Sequence, residues 1–143
     1  SAENVVALEH KLDIQNPHVA RRAASESVSE AMPVTQECEQ IAAHFAASEV
    51  SAEVFGPLAF DNIVSGDAAK MKGIDHPVAG RADVVVVPNI ETGNALFKMM
   101  VYFMSACAAG IVLGGKVPVL LTSRADPPAA RLASAALGAI SAK

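Results

Sequence analysis

The sequence predicts an α/β fold, a parallel sheet flanked by helices in three layers. Three observations carry this. Ala82 to Val87 ends in four consecutive valines, apolar on both faces as central strands of parallel sheets are. A long apolar helix, a second apolar strand ("VPVLL") and an Ala/Leu-rich helix follow, so two parallel strands are expected to be joined by a right-handed crossover. Hydrophobic residues make up 52% of the 143 positions, with 4% aromatics and no Trp. Such a core must be built from Ala, Val, Leu and Met.

In chain order, Asn4 to Leu8 reads as a short strand. Pro17 suits the first position of a helix carrying "HVARRAASESVSEA". Met32-Pro33-Val34 breaks that helix, and Thr35 is a candidate N-cap for the next. There Cys38, Ile41, Ala42 and Phe45 share one face at helical spacing. "AEVFGPLAF" reads as a strand and turn, "DNIVSGDAAKMKG" as a broken helix and "DHPVAGRA" as a loop. After the valine strand, "NIETGN" is a polar loop in which Thr92 or Asn94 can cap the long helix "ALFKMMVYFMSACAAGIVL". Gly114-Gly115 end that helix, and the last helix runs from Pro127 to about Ile140.

The net charge of −4, without a basic block, argues against nucleic acid or an anionic membrane as partner. Met99 to Leu113 is free of charge but only fifteen residues long. A span needs about 20, so a buried helix with Cys107 as an inert core thiol is expected. Cys38 and Cys107 form no CxxC pair, and the four histidines have no ligand spacing. No metal site is expected, and a reducing cytoplasm fits. No secretory signal precedes Glu3, and the chain opens on Ser1 rather than Met, so a processed fragment is expected. Walker, GxGxxG and GxSxG patterns are absent, and Arg21-Arg22 reads as a solvated helix face.

In open α/β sheets ligands bind at the carboxyl ends of strands. Both strong strands end there in polar loops. The first offers Thr92, Gly93 and Asn94, with Lys98 one turn further along the helix. The second offers Thr122, Ser123, Arg124 and Asp126. Asp126, next to Pro127, is placed to cap the last helix. The same geometry suits an anion, because a helix N-terminus and an arginine fork both attract phosphate. Spacing alone leaves cap and anion site both open.

Three segments in order resemble the phosphate acetyl/butyryltransferase family: "GPLAFDN" (Gly56 to Asn62), "PVAGRADVVVVPNIETGN" (Pro77 to Asn94) and "KVPVLLTSRAD" (Lys116 to Asp126). The likeness covers roughly residues 50 to 143. It implies reversible transfer of an acyl group from acyl-CoA to phosphate, giving acyl phosphate and coenzyme A. Both are substrates, and no cofactor is implied. It also implies two α/β domains of the isocitrate/isopropylmalate dehydrogenase-like architecture, with the active site between them. This chain would then be an incomplete two-domain enzyme. Residues 1–115 would form the second, CoA-side domain, and 116–143 a strand and helix returning to a first domain that is absent. Ser123 and Arg124 would be the family's catalytic pair, and a cytoplasmic homo-oligomer is expected. The acetyl-type branch carries an Asp six residues after that Arg. Here the position is Ala130, and Asp126 stands two residues after Arg124. That form looks more like the butyryl-type branch and makes Asp126 the candidate base. Asn89 replaces another Asp of the family pattern. The isolated chain is expected to be inactive. A non-catalytic α/β module binding a small anion or a protein partner is the alternative. A half-domain akin to decarboxylating dehydrogenases rests on fold analogy alone.

Overall fold

The computed structural model describes residues 2–142. Helix α1 spans Ala2–Lys11 and strand β1 His18–Arg22. Helix α2 (Pro33–Ala46) leads to strand β2 (Glu53–Leu58) and to the short helices α3 (Phe60–Val64) and α4 (Gly66–Met71). Strand β3 (Val84–Val86) and helix α5 (Ile90–Phe103) follow. Strands β4 (Ile111–Val112) and β5 (Val119–Leu120) precede helix α6 (Pro128–Ser141).

The main sheet is parallel, in the order β2-β1-β3. Strand alternation sorts its side chains into two cores. Val19 and Val54 meet Ala2 and Val6 of α1 and Phe45 of α2 on one face, with Val84 and Val86 against them. Ala20 and Leu58 meet Ile63 of α3 and Val78 on the other, joined by Val85. The three-layer parallel arrangement is therefore present, and its valine strand is apolar on both faces as expected.

The position of that strand is not as expected. β3 lies at the edge, and the central strand is β1, which Pro17 and the tandem arginines had marked as helix. Buried Pro17 instead leads into the sheet, its carbonyl accepting from Glu53 N at 3.0 Å. The segment expected as a first strand is α1, because Ala2 and Val6, four apart, both bury against β1 and α2. Thr35 is not a cap either. It lies inside the first turn of α2, buried, its hydroxyl donating to Met32 O at 2.7 Å. The broken helix is borne out, α4 being capped by Ser65, whose hydroxyl accepts from Ala68 N.

The largest departure lies beyond β3. The apolar helix expected to run to Leu113 ends at Phe103 and buries none of its residues. Ser105 follows in the left-handed region (φ 54°), and Ala106 N bonds back to Met100 O, which closes the helix end. Cys107 is consequently exposed in a loop rather than sealed in a core. Freed from the helix, Ile111–Val112 pairs antiparallel with Val119–Leu120. "VPVLL" is thus half of a local hairpin, with Val119 and Leu121 exposed, instead of a buried parallel strand. Closing a short hairpin costs less chain entropy than a crossover onto a distant sheet.

Helix α6 anchors this hairpin. Ala130, Ser134 and Gly138, four apart, are buried. The Ser134 hydroxyl accepts from Gly110 N at 3.0 Å and donates to Ala130 O at 2.8 Å. Gly138 leaves room for the Leu120 side chain.

On the other side of the molecule Gly80, at φ +73°, packs on the backbone of Ser65 and Gly66. A Cβ there would overlap that backbone. Gly80→Ala is expected to lower the unfolding free energy by about 2–3 kcal/mol, read from urea denaturation.

Candidate functional site

The loop after β3 enters α5 through Asn89, not through Thr92 or Asn94. The Asn89 side chain accepts from Thr92 N at 2.9 Å. This cap turns the first two turns of α5 so that Ile90, Gly93, Asn94, Phe97 and Lys98 line one cavity. Spacings of three and four place them on one helix face.

The loop after β5 reaches the same cavity. Thr122, Ser123 and Asp126 line it, with Leu121, Ala108 and Gly110. Asp126 does not cap α6, whose N-cap is Pro127 with no side-chain cap bond. The Asp126 carboxylate instead accepts from Ser123 N at 2.6 Å, folding the loop back on itself. The tandem Pro127-Pro128 at the start of α6 leaves few N–H groups for a side-chain cap. The expected cap is therefore not formed, and the carboxylate braces the loop instead.

The cavity holds about 380 Å³, within the size of ordinary ligand pockets. Of the eight residues expected in the site, Gly93, Asn94, Lys98, Thr122, Ser123 and Asp126 line it. Thr92 and Arg124 do not. Thr92 sits half-buried behind Asn89. Arg124 is exposed, its carbonyl accepting from Arg131 Nη2 at 3.4 Å. Ala130 lines a neighbouring cavity of about 280 Å³ together with Asp126 and Ala108. Lys98 also lies over the rings of Phe97 and Tyr102, at 5.1 and 6.0 Å, which holds its ammonium near the cavity mouth.

Sequence reasoning missed one feature. Arg21-Arg22 is the carboxyl end of the central strand, with Arg21 in register with Val86. The chain leaves β1 toward β2 on one side and returns as β3 on the other, so this is the switch point of the sheet. Arg21 is 6% exposed, and its Nε has no hydrogen-bond partner. Beside it, burial pushes the Cys38 thiol up, against the opposing pull of the guanidinium. A buried guanidinium is costly, and only the tandem of two arginines after an apolar pair hinted at it. Among the described residues no cluster of three or more His, Cys, Asp or Glu could hold a metal. No described helix is long and apolar enough to cross a membrane.

Residues 2–139 match the family model described as phosphate acetyl/butaryl transferase. The chain belongs to that family. It is 41% identical over 139 residues to a phosphate acetyltransferase of Thermotoga maritima, covering 96% of this chain and 47% of that protein. It is 39% identical to a phosphate butyryltransferase of Clostridium acetobutylicum, covering 96% and 46%. Among solved structures, a branched-chain phosphotransacylase from Enterococcus faecalis superposes with a TM-score of 0.88 at 35% identity, over 99% of this chain and 51% of that one. The chain spans about half the length of the curated relatives it matches. The family match includes the first fifty residues, where the sequence motifs were weakest.

Asp126→Ala is expected to free the 122–127 loop. Hydrogen exchange at the Ser123 amide should quicken about fivefold, corresponding to about 1 kcal/mol for a half-buried bond to a charged acceptor. Asp126→Asn, which keeps an acceptor, should change it little.

Proposed function

We propose that this chain is the C-terminal half of a phosphate acyltransferase, which interconverts acyl-CoA plus phosphate with acyl phosphate plus coenzyme A. The observation that carries this is the single cavity shared by the loops after β3 and β5, lined by Gly93, Asn94, Lys98, Thr122, Ser123 and Asp126. The forward step needs a phosphate oxygen to attack the thioester carbonyl carbon. The carbon–sulfur bond then breaks, and the coenzyme A thiolate leaves and takes a proton. Ser123 and Thr122 offer hydroxyl donors to the phosphate. Arg124, exposed and next to Ser123, would swing onto it and neutralise charge on the carbonyl oxygen as that charge develops. Asp126 would hold the proton of the thiol in the reverse direction. Gly93 leaves the N-terminal turn of α5 open to the CoA side.

The division follows the same reading. Residues 1–115 would be the CoA-side domain, and 116–143 would return to a first domain supplied by the rest of the protein, as in the isocitrate/isopropylmalate dehydrogenase-like architecture. The exposed apolar residues of α5 and the hairpin support this, among them Phe103 (85% exposed), Met104, Val119 and Leu121. So does the half-length match to the relatives. A cytoplasmic homo-oligomer remains part of the proposal.

Arg124 lies outside the cavity, and this favours one other reading for the isolated chain: a non-catalytic α/β module that binds a small anion or a protein partner. An assay of acyl phosphate formation separates the readings when paired with calorimetry. Coenzyme A binding without turnover is expected of the isolated chain, with turnover once the full-length protein is assayed; turnover by the isolated chain would refute the half-enzyme reading, and binding without turnover by the full-length protein would leave the module. In the full-length enzyme, Arg124→Lys should lower turnover about tenfold or more, because one bond to a charged group is worth about 1.5–3 kcal/mol. Unchanged turnover would remove Arg124 from the mechanism.

A further inference from the structure

The carboxyl end of the central strand carries positive charge that the described residues leave unanswered. Arg21 is nine-tenths buried, and its Nε has no hydrogen-bond partner. The Nε of Arg22 is buried and unpartnered too. The ion pairs among the described residues are His44–Glu3, Lys72–Glu26 and Lys72–Asp61, and neither arginine takes part. Lys72 thus holds Glu26 of the loop after β1 and Asp61 of α3, at 3.1 and 3.2 Å. Glu30 and Glu37, the other acids between β1 and the second turn of α2, pair with neither arginine. The Cys38 thiol stands beside the Arg21 guanidinium, but burial pushes its pKa up. It stays a neutral thiol and supplies no counter-charge.

Strand β1 and helix α2 form one strand–loop–helix unit. Cys38 Sγ lies 4.0 Å from Arg22 O, which sets the second turn of α2 against the end of β1. Thr35, one turn earlier, is fully buried, so the first turn stands over the strand end. The N-cap, Met32, makes no side-chain bond, and Pro33 brings no N–H. Thr35 N is taken by Met32 O. The N–H of Val34 is therefore the donor left at this helix end. Strand β2 passes so close that a Cβ on Gly56 would fall 2.6 Å from Arg21 Cβ, which fixes the root of the arginine side chain.

We infer that Arg21 and the Val34 N–H hold a free phosphate ion at this corner, a site separate from the cavity between α5 and the loop after β5. The Nε edge of the guanidinium offers two parallel N–H groups to two phosphate oxygens, and the start of α2 faces a third. Arg22 projects to the opposite face of the strand and adds charge without contact. The ion supplies the counter-charge that a buried guanidinium requires. A corner that leaves Arg21 only 6% exposed suits a small ion, not an adenosine or a long pantetheine arm. The inference does not rest on the acyltransferase reading.

The test titrates inorganic phosphate into the 143-residue chain and follows amide shifts, with sodium chloride at matched ionic strength as control. Saturable shifts at Arg21, Arg22, Val34 and Thr35 are expected, with a dissociation constant of about 1 mM, and chloride should not reproduce them. Arg21→Met should weaken this response about tenfold or more, because the paired N–H groups are lost. Any phosphate response at Ser123 should stay as in the unmutated chain. Without phosphate, Arg21→Met should melt no lower than the unmutated chain, since an uncompensated buried charge is removed. With about 10 mM phosphate only the unmutated chain should gain, by about 4 °C. If the Met variant fails to fold, Arg21→Lys, which keeps the charge and loses the fork, should weaken binding about fivefold or more. Coenzyme A in phosphate-free buffer is expected to leave these amides unmoved. Shifts there with coenzyme A would assign the corner to one of its phosphates and overturn the free ion. No saturation by about 20 mM phosphate, or an equal response in Arg21→Met, would also overturn the site and leave the acyltransferase reading standing.

Discussion

The hydrogen bond from Gly110 N to Ser134 Oγ is the joint on which the site depends. It fastens the start of the β4–β5 hairpin to the buried Ser134 in the middle of α6. On one side of it the chain runs back through Ala108 toward α5. On the other, Leu121 N donates to Gly110 O at 2.9 Å, which fixes where the strand gives way to Thr122 and Ser123. The small residues Ala130 and Gly138 let α6 approach closely enough for Ser134 to reach. Without that close approach, the loop that carries Ser123 and Asp126 would have no fixed distance from the α5 face that carries Gly93 and Asn94.

The molecule is organised in two unequal parts. The β2-β1-β3 sheet has apolar cores on both faces and is well covered. The α5, hairpin and α6 region has no comparable core, and α5 buries no residue. Contiguous apolar surface of this kind marks a face that another body covers. On the reading proposed above, a second α/β unit would cover this face, and the loops after β3 and β5 would line one cleft with it.

Much of this was legible in the sequence, for reasons that differ from residue to residue. The four valines announced a strand buried on both faces, because hydrophobic pattern reports burial directly. Pattern does not report order within a sheet, so the four valines point to a central strand while β1 holds that place. Arg21 and Arg22 hid that strand, since arginines read as solvent-facing and the sheet edge that takes them is set by topology. The run from Met99 to Leu113 read as one helix because apolar periodicity carries no stop signal. The stop came from a left-handed Ser105, a position where glycine is the usual marker. Six of the eight expected site residues nonetheless line one cavity. Loops at strand ends are placed by the strands, and those ends were read to within two residues. Asp126 lines the cavity, but its partner is Ser123 N rather than the helix end. A carboxylate followed by two prolines has few backbone donors ahead of it, and turns back.

The most direct measurement is an amide proton–nitrogen spectrum of the chain titrated with coenzyme A. The shared-cavity account predicts shifts concentrated at Gly93, Asn94, Gly110 and Ser123, with the amides of α2 and α4 unmoved. Shifts centred elsewhere, or none at millimolar coenzyme A, would contradict it.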